Sequence, residues 1–230
     1  MENNEIALFV TIGLIALSLV VGLIIFLTRG SKEKNVYLVG LAGSGKTTLF
    51  YKIIAKEKVS AITSQVPNSF VITEGKRSLN FVDLPGHPRI RTEVMNKVKE
   101  ATAIIFTIDS ETILKLINDI TNFLYDILSD PIIIQKKIPI LIAITKTDIV
   151  GSRDIDFIQQ ELQKEIEFVR SNRLTSNYVE DGKSEQLFLG EEGKEFTFNQ
   201  LINPISFVSC SVNHDDISQV NDFLTTILHK

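Results

Sequence analysis

"NVYLVGLAGSGKTTLF", residues 35–50, places a glycine-rich loop between an apolar strand and a helix-forming run. Its central part, Gly40 to Thr47, fits the pattern GxxxxGK[ST] in the strand, loop and helix context that a phosphate-binding loop requires. In such a loop, successive backbone N–H groups turn towards phosphate oxygens, and the following helix contributes its positive end. The stretch therefore predicts a nucleotide-binding protein of the α/β class.

The residues of this loop are the predicted phosphate ligands. We expect Lys46 to reach the β- and γ-phosphates as a point charge, and the hydroxyl of Thr47 to bind Mg²⁺. A nucleotide and Mg²⁺ are thus the predicted cofactors. The full predicted set is Gly40, Leu41, Ala42, Gly43, Ser44, Gly45, Lys46, Thr47 and Thr48.

The rest of the chain alternates short β-branched runs with longer helical patterns, as βαβ units do. Several runs are almost continuously apolar, which is typical of parallel strands covered on both faces. We predict one mostly parallel six-stranded sheet with helices on both faces, and a polar surface insertion at about 173–200. The predicted strands are 35–40, 69–73, 79–84, 103–109, 138–145 and 204–210, and the predicted helices are 46–56, 92–101, 111–129, 154–172 and 216–228.

Composition excludes some classes of protein. The net charge of -4 and the pI near 5.5 provide no domain-wide positive field to neutralise nucleic-acid phosphates, so we expect no direct sequence-specific nucleic-acid binding. The single cysteine, Cys210, excludes an intramolecular disulfide and a cysteine-cluster metal site. It suits a reducing compartment.

The apolar run "IALFVTIGLIALSLVVGLIIFL", residues 6–27, carries no charge and is long enough to cross a bilayer. A cleaved signal peptide is the alternative, but two glutamates and no basic residue precede the run. Basic residues follow it closely, which orients its C-terminal side towards the cytosol. We predict a transmembrane helix over 6–28, a short N-terminus over 1–5 on the far side, a basic linker over 29–34 and a cytosolic domain over 35–230.

The tetrapeptide "TKTD", Thr145 to Asp148, ends an apolar strand and predicts the choice of base. The Asp148 carboxylate can accept hydrogen bonds from N1–H and the 2-amino group of guanine, whereas adenine offers an acceptor at N1 and no 2-amino donor. A buried carboxylate left unpaired would disfavour the wrong base. We expect Lys146 to lay its aliphatic stem along the base.

Two further strand ends supply candidate ligands. In "DLPG", Asp83 is expected to hold the metal through water and the N–H of Gly86 to bond a γ-phosphate oxygen, so that loss of this phosphate releases the loop. In "SCS", Ser209 to Ser211, the backbone N–H of Cys210 is a candidate donor to guanine O6. A buried strand end with a small residue is the equally open alternative.

The order and spacing of these four elements resemble the Ras-like GTPases, and residues 35–230 are similar to the Arf and Sar group. Two segments are more closely similar to the family of signal recognition particle receptor β subunits: "DLPGHPRIR", residues 83–91, and "LGEEGKEFTFNQL", residues 189–201. The resemblance implies a P-loop GTPase at the endoplasmic reticulum membrane with a luminal N-terminus. Its GTP-bound switches would hold the receptor's α subunit for cotranslational targeting, with the ribosome or translocon as further contacts.

The same resemblance assigns several single residues. Thr63, with Ser64 adjacent, is expected to bind Mg²⁺ and the γ-phosphate in the GTP state. Thr145 stands where the superfamily most often has asparagine, so its hydroxyl can make one bond to the phosphate loop and base affinity should be modestly weaker. His87 stands where a glutamine positions the attacking water. It either orients water or serves as a switch residue at a helix start or partner contact, and both interpretations stay open.

No arginine finger in cis is assigned to Arg89 or Arg91, so we expect slow intrinsic GTP hydrolysis that depends on a partner. Two other functions stay open: an anchored Arf- or Sar-like GTPase of vesicle trafficking, and a scaffold for which the nucleotide is a stabilising ligand. The metal set of Thr47 and Asp83 favours a functional Mg²⁺–GTP state over an empty scaffold.

Overall fold

The computed structural model describes residues 13–15, 17–22, 34–55, 67–177 and 188–230. The chain forms two compact units, Met1–Glu33 and Lys34–Lys230. Within the first unit, residues 13–15 and 17–22 are helical, and most of the predicted span over 6–28 lies outside the described residues. Among the residues that are described, no helix combines the length and the apolar character needed to cross a membrane.

The second unit contains one six-stranded sheet in the order β2-β3-β1-β4-β5-β6. All neighbouring strands are parallel except β2 and β3, which form an antiparallel hairpin. This architecture confirms the predicted mostly parallel α/β sheet. The strands are β1 (Lys34–Gly40), β2 (Asn68–Glu74), β3 (Arg77–Asp83), β4 (Ala103–Asp109), β5 (Ile140–Thr145) and β6 (Ile205–Ser209).

Helices cover both faces of this sheet, as predicted. Every residue of β4 and β5 is buried, because apolar side chains on both faces of these strands pack against helices. One core lies between the sheet and α2, α3 and α5, and the other lies between the sheet and α1 and α6. The helices are α1 (Lys46–Ala55), α2 (Arg91–Val98), α3 (Ile113–Leu128), α4 (Pro131–Gln135), α5 (Ile155–Asn177) and α6 (Ser218–His229), with 3₁₀ turns at Pro88–Ile90 and Phe198–Gln200.

The short helix α4 was not predicted from the sequence. Asp130 caps it by accepting hydrogen bonds from the N–H groups of Ile132 and Ile133, at 2.9 and 3.3 Å, and Pro131 occupies the first helical position. With only five residues, α4 is too short for a helical period to show in the sequence. The strand begins at Ile140, two residues later than predicted.

The predicted insertion divides into parts. Helix α5 continues to Asn177 rather than ending at residue 172, and residues 188–200 form a segment that folds back onto it. The buried Arg170 of α5 donates to the backbone carbonyls of Leu189, at 3.0 Å, and of Lys194, at 2.6 Å. This segment lies at the surface and is anchored to α5 by buried side chains, and residues 178–187 lie outside the described part of the chain.

Candidate nucleotide-binding site

The predicted site residues that the structure describes follow the carboxyl ends of the parallel strands. This edge is where ligands of open α/β sheets bind, because the connecting loops and helix N-termini converge there. Three of the residues are the last residues of β1, β3 and β5, namely Gly40, Asp83 and Thr145. The sheet order places β1 next to both β3 and β4, so residues distant in sequence meet at the phosphate loop.

The phosphate loop starts with a close contact between backbones. Gly40 has a φ of +145°, and a Cβ atom there would lie 2.5 Å from both the carbonyl and the hydroxyl oxygen of Thr107, so only glycine fits. Thr107 donates to the carbonyl of Val39 at 3.1 Å and shares a 2.7 Å hydrogen bond with Ser44. Thr107 was missed from sequence because it lies in a buried apolar strand.

The Lys46 side chain is buried beside the loop. Its ammonium group donates to the carbonyl of Leu41 at 2.7 Å and lies 3.5 Å from the Ser44 hydroxyl. Burial lowers the pKa of Lys46 to about 8, and the nearby Asp83 carboxylate acts in the opposite direction. The ammonium is thus held at the loop. It has three N–H donors, and its one strong hydrogen bond uses only one of them.

The structure brings together Thr47 and Asp83, two of the predicted metal ligands. The Thr47 hydroxyl donates to Oδ2 of Asp83 at 2.7 Å, and the Asn68 amide donates to the same oxygen at 3.3 Å. Oδ1 of Asp83 is buried and has no hydrogen-bond partner among the described residues. Burial also raises the pKa of Asp83.

This oxygen-rich pair fits Mg²⁺, because a hard cation prefers hydroxyl, carboxylate and water oxygens. Oδ1 of Asp83 is a buried acceptor that a metal-bound water would satisfy, which agrees with the predicted contact through water. When bound by Thr47 and Asp83, Mg²⁺ would supply positive charge that neutralises the phosphates.

The loop after β3 lies directly against the phosphate loop. The N–H of Ala42 donates to the carbonyl of Gly86 at 3.2 Å. A Cβ atom at Gly86 would lie 2.6 Å from the Lys46 ammonium nitrogen and 2.7 Å from the Ala42 nitrogen, so this approach also requires glycine. The structure therefore brings together the two segments that were predicted to share the terminal phosphate.

At the base end, the Asp148 carboxylate is held by two side chains that sequence reasoning did not assign. Ser211 donates to Oδ1 and Asn213 donates to Oδ2, both at 2.6 Å. The hydrogen bonds from Asn213 and Ser211 lower the pKa of Asp148, which keeps it an anionic acceptor. Each carboxylate oxygen has further acceptor capacity, so these bonds orient the group without consuming it.

Lys146 is positioned by an acid that was also missed. Its φ of +59° is unusual for a residue other than glycine, and its ammonium lies 2.7 Å from Oδ2 of Asp109, at the end of β4. Burial acts to raise the pKa of Asp109, but hydrogen bonds from Lys146 and from the N–H of Glu111 more than offset it, and the pKa lies below its ordinary value. The ion pair fixes the head of Lys146 and leaves its stem for a base.

The buried Thr145 links the base end to the phosphate loop. Its hydroxyl lies 2.9 Å from the carbonyl of Ser44 and 3.1 Å from the carbonyl of Ile108. The predicted single side-chain bond to the phosphate loop is confirmed. Because a hydroxyl has one proton, the two carbonyls share it, and Thr145 has no second donor to offer a base.

The family of the chain follows from comparison with known proteins. A family model described as "Signal recognition particle receptor beta subunit" matches residues 31–205. The human signal recognition particle receptor subunit beta is 33% identical over 212 residues, which cover 87% of this chain and 78% of the human protein. The chain belongs to the signal recognition particle receptor beta subunit family.

Solved structures agree with this family. A structure titled "The Structure of the Mammalian SRP Receptor" matches with a TM-score of 0.74 and 31% identity over 84% of this chain and 100% of that chain. The SRb-GTP/SRX complex from Chaetomium thermophilum matches with a TM-score of 0.60 and 19% identity over 80% of this chain and 92% of that chain, which shows the shared small-GTPase fold.

Within this receptor-subunit site, the structure corrects the prediction for Cys210. Its backbone N–H donates to the carbonyl of Ile144 at 2.7 Å and so extends the ladder between β5 and β6. In this arrangement the N–H is not available to guanine O6, and the alternative of a buried strand end applies to Cys210. Ser209, the last residue of β6, is half-buried, and its predicted contact to the nucleotide stays a prediction. The thiol is fully buried, and burial raises the pKa of Cys210 to about 12.

His87 acts as a cap in this receptor subunit. Its Nδ1 accepts a hydrogen bond from the N–H of Arg89 at 3.2 Å, at the start of the 3₁₀ turn. A neutral ring with Nδ1 as acceptor carries its proton on Nε2, so Nε2 is a donor and does not orient water as an acceptor. The side chain of Arg91 lies over the ring of Phe123, 4.6 Å from its centroid. These contacts favour the switch-residue interpretation of His87.

Thr63 and Ser64 lie outside the described residues, which resume at Pro67. Their predicted contacts to Mg²⁺ and the γ-phosphate therefore stay predictions. The described part of the site consists of the phosphate loop, the loop that contains Gly86, and the two loops that hold Asp148.

Proposed function

We propose that this receptor subunit is a membrane-anchored GTP switch that binds the α subunit of the signal recognition particle receptor when loaded with GTP. The observation that carries the proposal is the contact between the Ala42 N–H and the Gly86 carbonyl. Gly86 begins the segment that leads into α2, so any change at the phosphate loop reaches an exposed part of the surface. The family membership supports the receptor α subunit as the partner.

The choice of guanine rests on Asp148. Its carboxylate is charged, oriented by Ser211 and Asn213, and exposed enough to accept from a base. Guanine offers two adjacent donors to such an acceptor, and adenine does not. The loop bonds of Thr145 and the ion pair between Lys146 and Asp109 hold the surrounding backbone before a base arrives, which reduces the ordering cost of binding.

The switch follows from competition at the phosphate loop. The N–H of Ala42 is held by the Gly86 carbonyl at 3.2 Å, a long hydrogen bond, and we propose that a phosphate oxygen displaces this carbonyl when nucleotide binds. The N–H of Gly86 is the donor that we assign to the terminal phosphate, and Lys46 lies beside it. GDP lacks that phosphate and leaves the Gly86 loop without this anchor. The GTP-bound and GDP-bound proteins therefore present different surfaces to the partner.

We propose slow intrinsic GTP hydrolysis that depends on a partner. The cap formed by His87 removes the nearest candidate for orienting water, and Arg91 is engaged with Phe123. A partner that drew His87 away from Arg89 would free Nδ1 as an acceptor near the terminal phosphate. Thr63, when it binds Mg²⁺, would complete the set formed by Thr47 and Asp83.

For the rest of the chain we propose a transmembrane helix over 6–28, a luminal N-terminus over 1–5, a basic linker over 29–34 and a cytosolic GTPase domain over 35–230. The apolar, uncharged run and the basic residues after it support this topology. The endoplasmic reticulum is the proposed membrane because the family members are receptor subunits for signal recognition particle. Ribosome or translocon contacts are part of the same proposal.

The test uses the full chain solubilised in detergent. It is loaded with GDP or with a GTP analogue that is not hydrolysed, both with Mg²⁺, and mixed with purified receptor α subunit. We expect capture only in the GTP-analogue form. The variant Asp156→Asn, an exposed acid on α5, serves as a matched control that should bind as the unmodified chain does.

Equal capture in both nucleotide forms would contradict the switch and favour a scaffold. Capture of vesicle-coat proteins and not of the α subunit would contradict the partner. Full extraction of the chain from membranes by alkaline carbonate would contradict the transmembrane anchor without affecting the nucleotide result.

A further inference from the structure

The amino-terminal edge of the sheet, opposite the nucleotide, collects basic side chains from many separate elements. β1 starts there with Lys34 and β3 starts there with Arg77, while α2, α4 and α6 run antiparallel to the strands and end there. We name this surface the basic edge. It consists of Lys34, Lys76, Arg77, Lys97, Lys99, Lys136, Lys137, His229 and Lys230.

Contacts show that the basic edge is continuous. Lys34 donates to the carbonyl of Leu228 at 2.9 Å, which joins the start of β1 to the end of α6. His229 contacts both Arg77 and Glu74 of the β2–β3 hairpin. At the other end, Lys136 donates to the carbonyl of Lys99 at 2.5 Å.

Between these two clusters, the N–H of Thr102 donates to the carbonyl of Asn35 at 2.8 Å, which joins the start of β1 to the turn after α2. The cations therefore lie along one edge of the folded domain and are not scattered over its surface.

The charge of this edge opposes the charge of the whole chain, which is -4. The acidic side chains at the edge include Glu74, Glu100, Asp126 and Asp130. Glu74 pairs with His229, Asp130 pairs with Lys99 at 3.3 Å, and Asp126 pairs with Arg173 at 2.8 Å. Lys76, Lys137 and Lys230 are exposed and have no carboxylate partner among the described residues. Basic residues at helix ends also complement the helix dipole, but Lys76 lies in a hairpin turn, where that explanation does not apply.

We propose that the basic edge binds the anionic headgroups of a lipid bilayer and thereby sets the orientation of the GTPase domain on the membrane. The inference rests on the proposed membrane anchoring, because Lys34 at this edge is the residue at which the domain continues into the basic linker. Basic side chains near an anionic surface are attracted within about one Debye length, roughly 10 Å at 0.1 M salt. The phosphate and base loops lie at the other edge of the sheet, so a domain held in this way leaves its nucleotide site accessible.

The experiment measures lysine acetylation by a water-soluble reagent on the full chain inserted into vesicles. One set of vesicles contains only phosphatidylcholine, and the other contains about 30% phosphatidylinositol, with acetylation rates read by mass spectrometry at 0.1 M salt. We expect Lys76 and Lys137 to react at least about threefold more slowly on the anionic vesicles. Lys115 and Lys164, which are exposed elsewhere, should react equally on both. At 1 M salt the difference should disappear.

A charge-reversal variant keeps the test independent of reagent access. In Lys76→Glu/Lys137→Glu, protection of Lys136 on anionic vesicles should fall to the neutral-vesicle value, whereas the matched variant Lys115→Glu/Lys164→Glu should retain it.

Co-flotation with neutral vesicles tests the anchor separately, so failure of the anchor and failure of the basic edge are distinguishable. Equal acetylation on both kinds of vesicle, in a chain that does co-float, would overturn the proposal. Ribosome binding that the first variant alone abolishes, without lipid-dependent protection, would assign the edge to RNA and also overturn it.

Discussion

Two loops of this protein each pack against a buried basic side chain, and the two side chains differ in their hydrogen-bond partners. In the phosphate loop, Lys46 makes one strong hydrogen bond, to the carbonyl of Leu41 at 2.7 Å. In the segment 188–200, Arg170 donates to two backbone carbonyls at 2.6 and 3.0 Å, pairs with Glu167 and lies against the ring of Phe188. Both side chains are almost fully buried.

The difference separates a ligand-binding cation from a structural one. The guanidinium of Arg170 is held by several fixed protein acceptors, which suits a planar group that is always charged. The ammonium of Lys46 keeps unused donors and a pKa lowered to about 8 by burial, so in the free protein its charge is incompletely compensated. A bound phosphate would compensate the buried charge of Lys46, whereas the charge of Arg170 is compensated without a ligand.

The largest effect is expected for Lys46→Met. Affinity for both GDP and GTP should fall by about 1000-fold, or ~4 kcal/mol, because the phosphates lose their buried positive partner. The free energy of unfolding of the nucleotide-free chain should change by less than about 1 kcal/mol, since a buried charge is removed together with its hydrogen bond. Fluorescent-nucleotide titration and urea unfolding measure the two quantities. Lys52→Met, on the same helix, should leave affinity unchanged, and equal losses in both variants would refute the role of Lys46.

Arg170→Met should show the opposite pattern. We expect the free energy of unfolding to fall by about 3 kcal/mol, because the carbonyls of Leu189 and Lys194 and the Glu167 carboxylate lose a buried partner. Nucleotide affinity should stay within about twofold. Urea unfolding of the nucleotide-free chain tests this, with Lys164→Met on the same helix as the control, since its exposed pair with Glu161 contributes little. A variant as stable as the control would show that the segment is not held by Arg170.

Asp148→Asn tests the base end of the nucleotide site. The amide keeps the shape of the side chain but offers a donor where guanine also donates, so GTP affinity should fall by about 30-fold, or ~2 kcal/mol. Xanthine nucleotides, which present a carbonyl at position 2, should gain in relative affinity. Competition titrations with both nucleotides measure the preference. If GTP binds unchanged, Asp148 does not contact the base.

The smallest effect concerns the buried thiol of Cys210, beneath the base loop. Its pKa is about 12 in the folded chain and near 9.0 when exposed, so the unfolded chain loses this proton first. The thiol makes its full contribution to the free energy of unfolding below pH 9. This contribution decreases as the pH rises towards 12, by about 1 kcal/mol between pH 9 and pH 10. The free energy of unfolding of the unmodified chain should therefore fall more steeply over this interval than that of Cys210→Ala. Parallel pH dependences would show that the thiol titrates normally.

Much of the phosphate loop could be predicted without a structure, because its chemistry is local. The spacing of Gly40, Lys46 and Thr47 sets a backbone turn and a helix start within eight consecutive residues. The same holds for Asp83 and Asp148, which stand at recognisable strand ends. The partners that hold these residues could not be predicted in the same way. Thr107 bonds Ser44 across 63 positions, and Asp109 pairs with Lys146 across 37.

The amino-acid sequence by itself determined the fold class, the phosphate loop and the position of the acid that we propose selects guanine, since each depends on residue types at short spacing. The tertiary structure decided which donors are free. Strand register assigned the Cys210 N–H to Ile144, a capped 3₁₀ turn assigned His87 to Arg89, and sheet order gathered the basic edge from separate elements. A hydrogen-bond donor is available to a ligand only if no nearer acceptor takes it, and those acceptors come from other strands and helices.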